Sequence, residues 1–220
     1  MGALLAWLAG SGSGVRSGAE ALDALLDGRR LWKGRAGAAA PPAHATGLAA
    51  LDHALPGGGW PGAALSEILY PAEGVGELRL VWPALARLSQ AGERIVLVAP
   101  PHLPFAPAWQ AAGVVLERLH LVNAAVPREA LWAAEQCLRS GSCGAVLCWP
   151  QRADDRALRR LQVAAETGRT LALAWRPMEA ARNPSPAALR LAIEVAPPAL
   201  RVLKCRGAMA PARPIPLATG

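Results

Sequence analysis

From Ala64 to Cys205 the chain alternates short apolar runs with segments whose apolar residues recur at helical spacing. Ala64–Leu69 reads as a strand. Glu77–Ala91 reads as one helix, because Leu78, Val81, Trp82, Leu85 and Leu88 share a face and Gly92 stops it. Arg94–Ala99 and Leu119–Val122 read as strands, and Pro127–Ser140 as a helix entered at Pro. Gly144–Trp149 reads as a strand. Asp154–Thr167 reads as a helix with an Asp cap and Gly168 as its stop, and Thr170–Trp175 as a strand. Same-sheet strands separated by helices need crossover connections, so the order predicts an α/β fold with a mostly parallel central sheet flanked by helices. Leu189, Leu191, Ile193 and Val195 alternate with Arg190, Ala192 and Glu194, which predicts a strand with one wet face. Ala199–Cys205 pairs with it as an antiparallel edge near the C-terminus.

Composition narrows the function classes. Of 220 residues 53% are apolar and 18% charged, enough for a core and too apolar for wholesale disorder. No apolar run reaches the ~20 residues of a membrane span, so no membrane role is expected. Four cysteines without a C-x-x-C pair exclude a disulfide framework and a zinc site. Cys148, on a strand, reads as a buried thiol. The four histidines show no ligand spacing, and no Ser/His/Asp set stands out. Neither a catalytic residue, a metal nor a cofactor is expected. The N-terminus has no basic residue before Arg16 and so no secretory charge signature, which points to the cytoplasm. The eight tryptophans, Trp82, Trp132, Trp149 and Trp175 among them, read as core anchors.

Three regions are expected. Residues 1–45 form an arm with one short amphipathic helix and a linker, and Leu22, Leu25 and Leu26 form an apolar stripe able to latch onto a partner. Residues 46–207 form the compact domain. Residues 208–220 form a Pro-rich basic tail, extended at its end.

Thr46–Leu80 is the most informative stretch. Thr46-Gly47, Leu51-Asp52, Gly57-Gly58-Gly59 and the strand after them resemble the entry to a RecA-type ATPase core. The phosphate loop should follow at 71–78, where a working loop needs Gly, four residues, then Gly-Lys-Ser/Thr. Pro71 stands at the first Gly and offers no N–H. Gly76 is kept. Glu77 stands at the Lys and brings the wrong sign, and Leu78 stands at the Mg²⁺-holding hydroxyl. Trp149 stands at the later catalytic Asp and Pro101 at the catalytic Glu; His102 beside it suits a capping role. The resemblance thus implies a RecA-like core with a degenerate P-loop and no ATP hydrolysis.

The blocks LWKGRA, LPGGGWP, LSEIL, GVGELRL, APPHLPFAP, LWAAEQCLRSGSCGAVLCWP, DDRALRRLQ and NPSPAALRL together resemble the ImuA family, RecA/SulA-like accessory proteins of translesion synthesis. That resemblance implies a non-catalytic scaffold of the SOS mutasome, nucleoid-associated during DNA damage. Its partners would be an ImuB-like Y-family polymerase homologue and RecA, with an error-prone DnaE-type polymerase met indirectly.

Charge suggests where partners would bind. Residues 1–150 carry 11 basic and 11 acidic side chains, and residues 151–220 carry 12 and 5. Arg156, Arg159 and Arg160 fall on one helix face, and Arg201, Lys204 and Arg206 run toward the tail; both groups are candidate partner surfaces. Arg176 and Arg182 are candidates for weak single-stranded-DNA contact. Two rival functions follow: a single-stranded-DNA-binding module, or a SulA-type inhibitor of the tubulin-like division protein.

Overall fold

The structure, a computed structural model, describes residues 43–217. The elements in order are α1 (Ala49–Ala54), β1 (Leu65–Tyr70), α2 (Trp82–Gln90), β2 (Ile95–Val98), α3 (Ala106–Ala111), β3 (Leu119–Val122), α4 (Pro127–Arg139), β4 (Ala145–Cys148), α5 (Asp155–Gly168), β5 (Leu171–Pro177), β6 (Leu189–Val195), β7 (Pro198–Cys205) and β8 (Ile215–Pro216). Single 3-10 turns lie at Glu77–Leu80, Leu116–Arg118 and Met178–Arg182. The strands make one eight-stranded sheet in the order β3-β2-β4-β5-β1-β6-β7-β8. The pairs from β3 to β6 are parallel; β7 and β8 join antiparallel. The fold is therefore mixed α/β with a mostly parallel sheet.

Both faces of the central strands are covered, which is why they read as continuous apolar runs. On one face Ile68, Leu97, Leu147, Leu173 and Leu191 pack with Trp60, Leu85 of α2 and Trp109 of α3. On the other, Val96, Val146, Ala172 and Ala174 pack under Ala134 and Leu138 of α4 and Leu158, Leu161 and Ala165 of α5. Thr46 is fully buried at the entry to the domain, and its N–H donates to Asp52 Oδ1 at 2.7 Å.

Three sequence expectations need correction. The helix at Glu77–Ala91 is not continuous: a 3-10 turn covers Glu77–Leu80 and α2 begins only at Trp82. Pro83 has no N–H to give to a carbonyl one turn back, so it can only stand in the first turn of a helix. Gly168 is not the left-handed stop of α5. It is the last helical residue, and Arg169 takes the left-handed cap at φ 53°. The space explains this, because a Cβ at Gly168 would overlap the carbonyl oxygen of Leu138 at the end of α4. Strand β6 has no wet face along most of its length, since Arg190 and Ala192 are buried. Within the expected tail, β8 pairs with Ala199 and Leu200 of β7.

Candidate binding surface at the carboxyl edge of the sheet

The parallel strands β1, β2, β4 and β5 point their carboxyl ends at one edge, where open α/β sheets place their ligands. The loop after β1 holds residues 71–78, where the sequence analysis expects a degenerate phosphate loop. Gly76 sits at φ 82°, a left-handed position that suits only Gly without strain. Glu77 follows as the first residue of the 3-10 turn, half-buried, and its Oε2 has no hydrogen-bond partner. No α-helix starts at this loop, so no row of helix N–H groups faces the edge here. Leu78 packs on the apolar core instead of facing the edge as a ligand. Trp149 is half-buried and stacks on Trp175, with ring centroids 5.2 Å apart and planes 17° from parallel. Gln151 Nε2 donates to Tyr70 Oη at 3.0 Å, tying the loop after β4 to the end of β1. Burial raises the Tyr70 phenol pKa, and the Gln151 bond opposes that rise.

Arg176 does not face the edge. Its Nη1 donates to Glu67 Oε1 at 2.8 Å and its Nη2 to the Ala153 carbonyl at 2.8 Å. On the far side of Glu67, Arg190 Nε lies 2.7 Å from Oε2, in charge contact though its N–H is not aimed along a hydrogen bond. Arg190 Nη2 and Nη1 donate to the carbonyls of Ala180 and Asn183 at 2.8 and 3.1 Å. All three side chains are buried. The expected DNA contact at Arg176 is therefore corrected: a guanidinium held under a sheet has no face left for phosphate. Arg182 ends the 3-10 turn Met178–Arg182, exposed and without an ion pair among the described residues.

The other basic candidates divide. Arg159 pairs with Asp155 at 3.4 Å, and Arg160 turns to Glu135 on α4, which also holds Arg139 at 2.7 Å. Arg156 stands unpaired among the described residues, so the three do not form one patch. Arg201 pairs with Glu194 at 2.5 Å, Lys204 Nζ donates to the Ser185 carbonyl at 2.7 Å, and Arg206 pairs with Glu166 at 3.0 Å. These three hold β7 to its neighbours. Burial, then Arg206 and Arg190, push the Lys204 ammonium pKa down. The stripe Leu22, Leu25 and Leu26 lies outside the described residues.

Two features of this edge were not singled out by the sequence reading. The first is the Pro-bounded loop after β2. Leu103 is 86% and Phe105 70% exposed, between Pro100, Pro101, Pro104 and Pro107. His102 Nε2 lies 2.7 Å from Glu73 Oε2, clasping this loop to the one after β1. Two large exposed apolar residues on a stiff loop were the available signal.

The second is a cleft of about 640 Å³ between α4 and α5, beyond the ends of β2 and β4. Leu131, Trp132, Trp149 and Pro150 line it, with Arg128 and Arg152 at its polar side. Trp132 is no core anchor: it is 60% exposed. Cys148 also lines the cleft, and burial pushes its thiol pKa up to about 12, so it is inert at neutral pH. Among the described residues, no three of His, Cys, Asp and Glu gather as metal ligands, and no helix is long and apolar enough to cross a membrane.

The family model described as cell division inhibitor SulA matches residues 63–172, from the start of the sheet through β5. The cell division inhibitor SulA of Edwardsiella piscicida is 32% identical over 117 residues, covering 52% of this chain and 68% of that protein. That of Pectobacterium atrosepticum is 29% identical over 120 residues, covering 54% and 71%. A solved structure, SulA from Pseudomonas aeruginosa, is 31% identical, covers 52% of this chain and 98% of that chain, and superposes with a TM-score of 0.45. The family model and the curated relatives overturn the resemblance to ImuA. Five of the blocks that carried it, from LSEIL to DDRALRRLQ, lie inside 63–172 and are accounted for by the SulA model. With that resemblance fall the translesion scaffold, its ImuB-like, RecA and DnaE-type partners, and the mutagenesis role.

Proposed function

Since the chain belongs to the SulA family, described as cell division inhibitors, we propose that it arrests cell division by binding the tubulin-like division protein, without catalysing a reaction. The family match over 63–172 carries this reading. The degenerate loop supports the non-catalytic part. Glu77 brings a carboxylate where a phosphate would need a cation, and Leu78 and Trp149 offer no metal ligand. We further read the core as RecA-type. That reading is supported by β1 at the middle of a mostly parallel sheet, with the degenerate loop directly after it. The tie to the DNA-damage response is common to both family readings and stays part of the proposal. The protein acts in the cytoplasm; the nucleoid association expected earlier rested on the translesion role.

The contact surface is the loop bearing Leu103 and Phe105. Exposed apolar side chains on a Pro-stiffened loop lose little entropy on docking, the circumstance in which a few residues dominate an interface. The test is expression from an inducible promoter with cell length as readout, beside assembly of the purified division protein followed by light scattering. Filamentous cells and suppressed assembly, with no nucleotide hydrolysis by the purified chain, are expected. Normal cell length at full expression together with unhindered assembly overturns the reading.

A further inference from the structure

The cleft between α4 and α5 has a chemistry of its own. Its walls are mainly apolar, and Trp132 presents an exposed indole at its side. A second hollow of about 490 Å³ shares Leu131, Arg152, Ala153, Ala157 and Arg160 with it, so the depression runs on along the seam of the two helices. An elongated, half-open depression fits a stretch of chain better than a compact small molecule.

Four arginines, Arg128, Arg152, Arg156 and Arg160, line the two hollows against two acids, Glu135 and Asp154. Arg128, Arg152 and Arg156 are exposed and make no ion pair among the described residues. The nearby acids are engaged. Glu135 holds both Arg139 and Arg160, Asp154 Oδ1 accepts from the Ala157 N–H at 2.7 Å, and Asp155 holds Arg159. Asp154 is the one lining acid without an ion pair among the described residues, so the three unpaired guanidinium groups leave a net positive charge. Arg is also the cation best matched to planar carboxylates.

We infer that this seam is a docking groove for an acidic polypeptide segment, which seats one apolar or aromatic side chain beside Trp132 and sets its carboxylates on Arg128, Arg152 and Arg156. Nucleic acid fits less well. A phosphate chain needs donors along the groove wall, whereas this wall is mainly apolar. The groove is separate from the Leu103–Phe105 loop, and the inference holds whether or not the division reading does.

The test uses the full purified chain and three labelled probes, read by fluorescence anisotropy. The first is a short synthetic peptide of Glu and Leu around one Phe. The second is its Lys-for-Glu counterpart, and the third is an oligo-dT of similar length. The Glu peptide should bind at least about tenfold more tightly than the Lys peptide, and more weakly as salt rises. Trp132→Ala and Arg152→Glu should each weaken it about tenfold. Both positions are exposed, so both variants keep the fold, which circular dichroism checks. Equal binding of the two peptides, unchanged affinity in both variants, or displacement of the Glu peptide by oligo-dT each overturn the inference. The division protein is absent from this assay, so failure here is distinct from failure of the division reading.

Discussion

Arg176 on β5 donates to Glu67 on β1 across 2.8 Å, with both side chains buried under the sheet face that carries α4 and α5. Arg190 on β6 closes on the same carboxylate from the other side, so one acid holds two cations across three adjacent strands. The arrangement also pins loops: Arg176 takes the Ala153 carbonyl before α5, and Arg190 takes those of Ala180 and Asn183. Removing the acid leaves two buried cations facing each other. Glu67→Leu is expected to cost about 3–5 kcal/mol. Replacing all three charges (Glu67→Leu, Arg176→Met, Arg190→Met) should cost less than that single change. Urea unfolding of the two variants checks the order.

Gly168 lies against the carbonyl of Leu138, where α5 meets the end of α4. Ala is the better helix former by about 1 kcal/mol, so propensity alone predicts a gain from Gly168→Ala. Overlap with backbone must win, because a carbonyl in a packed helix end cannot swing away. The variant is expected to lose about 1–3 kcal/mol in urea unfolding, and a stabilised protein would contradict this packing.

Ala99 holds φ at 46° between β2 and Pro100, and its N–H still donates to Val122 at 2.8 Å. A left-handed residue with a Cβ costs about 1–2 kcal/mol. Ala99→Gly should therefore be neutral or stabilising by up to about 1 kcal/mol. Ala99→Val should destabilise by more than that, since branching at Cβ is worst in this region. Thermal melts of the pair test the sign.

His44 bridges its backbone to Trp60, and burial, then Arg87, lower its pKa below 6.5. The unfolded chain therefore takes up the proton first as the solution is acidified. The stability contribution is whole above pH 6.5 and is lost as pH falls through the lower folded value. His44→Asn should flatten that part of the acid limb, measured as the difference in urea midpoint between wild type and variant across the range. Parallel curves would exclude the role.

The exposed pair Leu103 and Phe105 gives the division reading a surface to lose. Leu103→Asp with Phe105→Asp should weaken binding of the division protein by about 2 kcal/mol or more, roughly thirtyfold. Division arrest should vanish while the melting temperature stays put. Persistent arrest would move the contact elsewhere on the domain.

Much of the architecture was readable along the chain. The positions of β3 and β6, the Pro entry of α4, the Asp154 cap of α5 and the antiparallel β6–β7 pair follow from periodicity and local turn chemistry, which act within a few residues. The break after Leu80 was also present in local signals, since Pro83 argues against a helix running through it. The apolar spacing of Leu78, Val81, Trp82 and Leu85 outweighed it. The expectation of a degenerate loop at 71–78 rests on side-chain chemistry alone, Glu77 standing for a cation and Leu78 for a hydroxyl. The family was misjudged because five of the blocks taken as ImuA marks lie in the stretch that the SulA model matches.

What periodicity could not reach was partnership between distant residues. Glu67, Arg176 and Arg190 each break an apolar strand, and that was a signal, but only the β5-β1-β6 order brings them together. The same alternation that made Arg190 look wet is neutral about whether something covers that side of the sheet; the turn Met178–Arg182 does. Trp132 is the converse, an apolar residue on a helical face that packing leaves in solvent. Local pattern sets which atoms an element can present, since side-chain direction follows from backbone geometry. Which of them are covered, paired or left free depends on strand order and helix placement, and these are set by contacts that no local window contains.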